Sequence, residues 1–181
     1  MSSLEKEQPL LLFIDARGGT GKTFLLNAIL AAVRSLSSGS IALATGTTGI
    51  ASNLLHLGRT FHSRFNAPLS PNEESVCRIN AKSNLADLIR MAKIIIVDEA
   101  SMLNKHLLEA LDRTLQDIMD KEVPFGGKTI ILSGDFRQCL PVVKGAGRAA
   151  TVNISLKRSY LWTMEAFCNQ TAKGKYEDSP K

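Results

Sequence analysis

A glycine-rich segment, ARGGTGKT at residues 16–23, lies between a short apolar run and a run of helix-forming residues. A Gly-Lys-Thr sequence preceded by further glycines is typical of loops that bind the phosphates of a nucleoside triphosphate. Glycines allow backbone N–H groups to surround phosphate oxygens, and the helix N-terminus that follows adds a positive dipole. The whole segment is therefore the predicted nucleotide-binding loop: Ala16, Arg17, Gly18, Gly19, Thr20, Gly21, Lys22 and Thr23.

Three residues of this loop differ from the rest in predicted role or in fit to the pattern. Lys22 is predicted to reach the β- and γ-phosphates, and the Thr23 hydroxyl to help hold Mg²⁺. Ala16 stands where glycine is usual, which is a mild departure from the pattern. A glycine turn that only joins a strand to a helix is the alternative. The order of strand, loop, Gly-Lys-Thr and helix argues against it.

Two acidic residues, Asp98 and Glu99, directly follow the apolar run IIIV. At the carboxyl edge of a parallel sheet they would face the same crevice as the phosphate loop. Asp98 is predicted to hold the coordination shell of the metal, usually through water. Glu99 is predicted to polarise the water that attacks the γ-phosphate. Acidic residues here often only cap the next helix, so the prediction depends on their pairing with the phosphate loop.

A further apolar run, TIIL, is followed by SGDFRQ, which ends at Gln138. A glutamine in this place could detect the γ-phosphate and transmit its presence to the rest of the domain. Gln138 therefore joins Lys22 and Glu99 as a predicted catalytic residue. Without the other motifs, a plain loop residue would be an equally good interpretation.

These motifs require a sheet whose strands end at one edge. Continuous apolar runs indicate strands covered on both faces, and residues three or four apart indicate amphipathic helices. The alternation predicts a three-layer α/β domain with a mainly parallel sheet. The predicted strands are Leu10–Ile14, Ile41–Ala44, Ile94–Val97 and Thr129–Leu132, and the predicted helices are Lys22–Leu36 and Met102–Met119. The predicted parts are a polar segment at 1–9, the domain at 10–168 and a polar, disordered tail at 169–181.

Composition limits the class of protein. The 181 residues suit one domain, with 44% hydrophobic and 22% charged residues. The apolar runs are too short for a membrane helix, and the polar start does not resemble a secretory signal, so no membrane partner is expected. Three cysteines without a CxxC or Cys/His pairing favour reduced thiols in an intracellular protein over a zinc site. The net charge of +5 suits a polyanionic partner, although many cytosolic enzymes are equally basic.

Five ordered segments carry a more specific resemblance: GGTGKT, ATGTTGIA, GRTFHSRF, VDEAS and GDFRQCLPVV. Together, over residues 10–162, they resemble the first motor domain of superfamily-one DNA helicases of the Pif-one type, above all the helicases of Helitron transposons. The resemblance implies a RecA-like P-loop NTPase fold and the use of Mg-ATP. It also implies movement along single-stranded DNA in the 5′ to 3′ direction with unwinding. Roles in DNA repair, recombination and telomere maintenance, and a nuclear location, are implied by the family alone.

The same resemblance implies two DNA-contacting segments. The first contains Thr47, Thr48 and Gly49, and the second contains Thr60, His62 and Arg64. Hydroxyls, backbone amides and basic side chains suit phosphate contacts that do not depend on base sequence. Without the resemblance, TGTTG would be interpreted as a turn before a helix, and His62 as an ordinary half-buried histidine.

Parts of such a motor are not found in the sequence. The family has a second motor domain whose arginines stabilise the charge on the γ-phosphate, and Arg158 lies too early to replace them. The family also has a helix before the first strand, with a glutamine that reads the adenine. Gln8 lies so close to the predicted first strand that there is no room for such a helix. The sequence thus predicts half a motor, completed by a longer form or by a partner. An ATP- and DNA-binding module without productive hydrolysis, or a relic that has lost its function, are the alternatives.

Overall fold

The domain is built on a six-stranded sheet with the strand order β3-β2-β4-β5-β1-β6. A computed structural model describes residues 10–138, 141, 148–163 and 167–171. Every pair of neighbouring strands is parallel. The strands are β1 Leu11–Asp15, β2 Ile41–Gly46, β3 Arg59–Thr60, β4 Ala92–Asp98, β5 Thr129–Gly134 and β6 Phe167–Thr171.

The register of the sheet brings the ends of four strands into line. Gly46 at the end of β2 pairs with Asp98 at the end of β4. Asp15 at the end of β1 pairs with Gly134 at the end of β5. Since all strands run the same way, the loops that follow them meet at one edge of the sheet, where ligands bind in α/β proteins.

Helices connect the strands and cover both faces of the sheet. They are α1 Lys22–Ser35, α2 Gly49–Leu54, α3 Phe61–Phe65, α4 Asn84–Met91, α5 Lys105–Met119, α6 Arg148–Asn153 and α7 Tyr160–Thr163. Short 3₁₀ turns lie at Ala100–Met102, Pro124–Gly127 and Leu156–Arg158.

Two hydrophobic clusters lie on opposite faces of the sheet. On one face, Leu26 and Leu30 of α1 pack against β2 and β4. On the other face, apolar residues of α5 such as Leu111 and Leu115 join Phe13 of β1. Alternate side chains of a strand point to opposite faces, so β1, β2, β4 and β5 each contribute to both clusters. The helix–sheet–helix arrangement confirms the predicted three-layer α/β fold.

The four predicted strands are present with slightly different ends, whereas β3 and β6 were not predicted. β3 is only two residues long, Arg59–Thr60, and it depends on pairing with β2. β6 pairs with β1, so residues 169–171 belong to a strand and not to the predicted tail. The rest of that tail and the segment 1–9 lie outside the described residues.

Helix α5 begins later than predicted. The Asn104 side chain caps it by accepting a hydrogen bond from His106 N–H at 2.9 Å. Met102, which the apolar spacing assigns to this helix, belongs instead to a separate 3₁₀ turn at Ala100–Met102. A side-chain acceptor for the free N–H groups of the first turn sets the start of a helix more strongly than apolar spacing does.

The Asp112 carboxylate joins three parts of the fold and generates a stability prediction. It is 1% exposed and accepts hydrogen bonds from Phe125 N–H at 2.5 Å, the Tyr160 hydroxyl at 2.6 Å and Gln116 Nε2 at 3.0 Å. We expect Asp112→Ala to lower the free energy of unfolding by about 2–4 kcal/mol, because buried donors lose a charged acceptor.

Urea unfolding monitored by circular dichroism measures this change. Asp117→Ala is the matched control, because Asp117 lies on the exposed side of the same helix. The control is expected to change stability by at most about 0.5 kcal/mol. Equal effects of the two substitutions would contradict the role given to Asp112.

Candidate nucleotide site and nucleic-acid contacts

The phosphate loop connects β1 to α1 and curls so that its two ends are joined by a hydrogen bond. Gly19 and Gly21 have φ angles of 77° and 86°, which are left-handed conformations that glycine adopts readily. The Lys22 ammonium is largely buried and donates a hydrogen bond to the Ala16 carbonyl at 3.0 Å. Lys22 therefore spans the loop and lies at the concave side where phosphate oxygens would be bound.

The loop is also fixed to the residues that follow β5. Gly18 N–H donates to Asp135 Oδ2 at 3.3 Å. Burial alone would raise the pKa of Asp135, but N–H groups of Arg137 and Gly18 and the charges of Arg137 and Lys22 lower the pKa below its usual range. The Gln138 amide lies so close to Gly18 that a Cβ on Gly18 would collide with it. The predicted sensor glutamine thus contacts the predicted phosphate loop.

Asp98 is 2% exposed, and its two carboxylate oxygens have different partners. Oδ1 accepts hydrogen bonds from the Ser133 hydroxyl at 2.5 Å and from Glu99 N–H at 2.9 Å. Oδ2 faces the Thr23 hydroxyl at 3.5 Å. Among the described residues no group of three or more metal-ligating side chains occurs. One carboxylate and one hydroxyl fit a Mg²⁺ ion whose other ligands are phosphate oxygens and water.

Glu99 has a left-handed backbone conformation, with φ 54°, that is uncommon for a residue other than glycine. It lines a cavity of about 260 Å³ together with Thr23, Asp98 and Gln138. Burial, and then the negative charges of Asp98 and Asp135, raise the pKa of Glu99, while Lys22 opposes the rise. A carboxylate with a raised pKa is a stronger base, which suits removal of a proton from water.

The loops after β4 and β5 approach each other closely. A Cβ added to Gly134 would lie 2.8 Å from Ser101 N and 3.0 Å from Ser101 Oγ. Glycine is therefore required at this position by the approach of the 3₁₀ turn that follows Glu99. Ser101 lies in the motif VDEAS and Gly134 lies in GDFRQCLPVV, but the contact between them could not be deduced from either motif.

The first predicted DNA-contacting segment lies beside Glu99. The Thr47 hydroxyl donates to the Glu99 carbonyl at 2.9 Å and is 3.3 Å from the Asp98 carbonyl. Thr48 caps α2, since its side-chain oxygen accepts a hydrogen bond from Ala51 N–H at 3.2 Å. Thr48 also lines the same cavity as Glu99, and Gly49 is exposed at the start of α2.

The second predicted segment lies next to the first because Thr60 pairs with Gly46 in the sheet. Thr60 caps α3 by accepting a hydrogen bond from Ser63 N–H at 3.3 Å. His62 is half-buried, and its ring meets Phe61 edge-on. Arg64 Nη2 donates to the Leu57 carbonyl at 3.1 Å. The structure brings the two segments together, and the DNA contacts themselves stay predictions.

Sequence reasoning missed three residues that support the site: Ser133, Asp135 and Ser101. Ser133 and Asp135 bind the Asp98 carboxylate and the Gly18 amide, respectively. Their positions on either side of Gly134, at the end of a predicted strand, were a signal that the predictions left unused.

A parallel sheet with a phosphate loop after β1 and an acidic pair after β4 defines a RecA-like P-loop NTPase domain. Comparison with protein families identifies the particular class. The model of the PIF1-like helicases matches residues 1–173, and the chain belongs to this family.

Similar proteins are much longer than this chain. It is 32% identical to the ATP-dependent DNA helicase PIF1 of Candida albicans over 77% of this chain and 16% of that protein. It is 31% identical to the ATP-dependent DNA helicase RRM3 of Saccharomyces cerevisiae over 74% of this chain and 18% of that protein.

A solved structure with the same fold is the Pif1 helicase from Bacteroides in complex with ADP-AlF3 and single-stranded DNA. Its TM-score is 0.76 at 26% identity, over 92% of this chain and 38% of that one. The chain thus spans well under half of the solved helicase. Within the described ranges, none of the helices has both the length and the apolar character needed to cross a membrane.

The position of Lys22 predicts its contribution to nucleotide affinity. We expect Lys22→Ala to weaken Mg-ATP binding by about 10- to 100-fold, because charge-assisted hydrogen bonds to phosphate are lost. Isothermal titration calorimetry measures the affinity, with Lys121→Ala as the control for loss of one positive charge. Undiminished affinity in Lys22→Ala would contradict the assignment of the loop.

The close packing at Gly134 generates a second prediction. Gly134→Ala should push the turn at Ala100–Met102 away from β5 and lower the free energy of unfolding by about 1–3 kcal/mol. Gly49→Ala is the control, because no atom lies within 4 Å of a Cβ at that position. Thermal unfolding of both variants tests the prediction, which fails if Gly134→Ala is as stable as the control.

Proposed function

We propose that this chain is an Mg-ATP-binding motor domain of a DNA helicase that couples ATP hydrolysis to 5′ to 3′ movement along single-stranded DNA. The observation that carries the proposal is the common cavity lined by Thr23, Asp98, Glu99 and Gln138. These four side chains come from the start of α1 and from the ends of two strands, β4 and β5. Their roles in hydrolysis require them to meet around one phosphate group.

The chemistry assigned to each group follows from its surroundings. On nucleotide binding, the Lys22 ammonium exchanges the Ala16 carbonyl for phosphate oxygens. Thr23 and Asp98 Oδ2 would hold Mg²⁺, which supplies charge neutralisation on the phosphates. Glu99 accepts a proton from the attacking water. Gln138, which lies against Gly18 of the phosphate loop in this structure, acts as the sensor of the γ-phosphate.

Contacts to DNA are proposed for the segments 47–49 and 60–64. The oxygens of Thr48 and Thr60 accept helix-capping hydrogen bonds, so their hydroxyl protons are available for phosphate oxygens. The exposed N-terminal end of α2 at Gly49 and the His62 ring add donors beside them. The Bacteroides Pif1 complex with single-stranded DNA supports this partner by relationship. Roles in repair, recombination and telomere maintenance, and a nuclear location, accompany the proposal by family alone.

The arginines that stabilise charge on the γ-phosphate are assigned to a second motor domain, from a longer form or a partner. The Arg137 guanidinium does not take that role in this structure, because it lies 3.4 Å from Asp15 Oδ2 and 3.7 Å from Asp135 Oδ1. These ion pairs favour, as the second candidate function, an ATP- and DNA-binding module that does not hydrolyse ATP by itself.

Hydrolysis of Mg-ATP by the purified chain distinguishes the two functions. We expect turnover that single-stranded DNA increases and that Glu99→Gln removes, with nucleotide affinity retained. Because the pKa of Glu99 is raised, turnover should fall on acidification at a higher pH than for an ordinary glutamate. Phosphate release is measured with and without oligo-dT.

Two other results would change the assignment. Binding of Mg-ATP without turnover would favour the binding module over the motor domain. Turnover that survives Glu99→Gln would show that another group activates the water.

A further inference from the structure

Positive charge is segregated in this chain. Residues 16–72 contain five lysines and arginines and no aspartate or glutamate. The whole chain has 22 basic and 17 acidic residues, so the remaining positions hold 17 of each and have no net charge. All of the net charge of +5 therefore comes from the part of the fold that contains α1, β2, α2, β3 and α3.

Three of the five basic side chains lie together on the flank of the sheet beside β3. Arg34 Nη1 donates to the His56 carbonyl at 3.1 Å, and Arg64 Nη2 donates to the Leu57 carbonyl at 3.1 Å. Because these carbonyls belong to consecutive residues, the two guanidinium groups are bound to the same short segment of main chain. Arg59, two residues further along, is exposed.

In the part of the chain that the structure describes, no carboxylate forms an ion pair with this cluster. Within the described ranges, none of the ion pairs involves Arg34, Arg59 or Arg64. The Arg64 Nε is buried without a hydrogen-bond partner. Burial, and then the charges of Arg59 and Arg34, lower the pKa of Arg64. Like charges held this close repel one another, and an anion placed between them would relieve that repulsion.

The cluster is separate from the phosphate loop. Arg34 lies in the last turn of α1, twelve residues after Lys22, which at the rise of an α-helix is about 18 Å along the axis. One nucleotide cannot reach both places. The cluster instead overlaps the second predicted DNA-contacting segment, because Arg64 belongs to that segment and Arg59 directly precedes Thr60.

We propose that Arg34, Arg59 and Arg64 form a second phosphate-binding surface, which takes backbone phosphates of a nucleic-acid strand that continues past Thr60 down the flank of the sheet. The strand as ligand rests on the proposed function. Guanidinium groups suit it because each presents several N–H donors in one plane to phosphate oxygens. Anchoring two of the three groups by main-chain carbonyls reduces the entropy lost on binding.

The experiment measures the affinity of the full chain for oligo-dT at a series of salt concentrations by fluorescence anisotropy. Arg59→Gln is the main variant, because among the described residues the Arg59 side chain has no protein partner whose loss could unfold the domain. We expect a slope of log affinity against log salt that is smaller by about 0.7, the value for one lost phosphate contact on a single strand. Arg34→Gln should add a similar loss, with folding checked by thermal unfolding.

Controls separate this inference from the proposed function. Lys121→Gln removes the same charge from just beyond the end of α5, outside the cluster, and should leave the slope unchanged. His62→Ala reports the contacts of the second predicted segment. If His62→Ala weakens binding while Arg59→Gln behaves like Lys121→Gln, the surface is overturned and DNA binding stands. If the unmodified chain binds no oligo-dT, both fall, and Mg-ATP affinity still reports the nucleotide site.

Discussion

The arrangement of this site depends on one buried carboxylate. Asp98 is at the end of β4, and its Oδ1 accepts hydrogen bonds from the Ser133 hydroxyl of β5 and from the N–H of Glu99. A buried charge is tolerated only when hydrogen bonds replace the water that it has lost. The hydrogen bond from Ser133 that stabilises the carboxylate therefore also holds β4 and β5 together at this point. The hydrogen bond from the Glu99 N–H fixes the start of the loop that contains Glu99, and Oδ2 is left directed at Thr23.

Around this point, the predicted nucleotide and nucleic-acid segments share a single edge of the sheet. The pairing of Gly46 with Asp98 places the loop after β2 beside the loop after β4. Each loop is short, and each is held to its neighbour by main-chain contacts such as the hydrogen bond from Thr47 N–H to the Asp98 carbonyl at 3.0 Å. The two predicted ligand-binding segments are thus adjacent turns of one sheet, with no other element between them.

The parts of the fold that were predictable from sequence are those stabilised by local pattern. Continuous apolar runs identified β1, β2, β4 and β5, and the spacing of glycines with Lys22 and Thr23 identified the phosphate loop. β3 is a two-residue strand, and β6 combines apolar and polar residues. Both depend on partners distant in sequence, so neither has a local signal. In the site, the motifs predicted that Thr23, Asp98, Glu99 and Gln138 would lie together, as they do. The contacts of Gln138 with Gly18 and of Ser101 with Gly134 arise only when separate loops are packed together.

The Thr47 hydroxyl has a single proton to donate, which limits the partners that it can bind at one time. In this structure that proton is directed to the Glu99 carbonyl at 2.9 Å, and it helps to hold a backbone conformation that costs free energy. The same proton cannot serve a phosphate at the same time. A ligand that binds through this proton must take it from the Glu99 carbonyl, so its binding at Thr47 would be thermodynamically linked to the conformation of Glu99. Such a linkage is reciprocal: whatever favours one arrangement of Glu99 must change the affinity of the segment by the same factor.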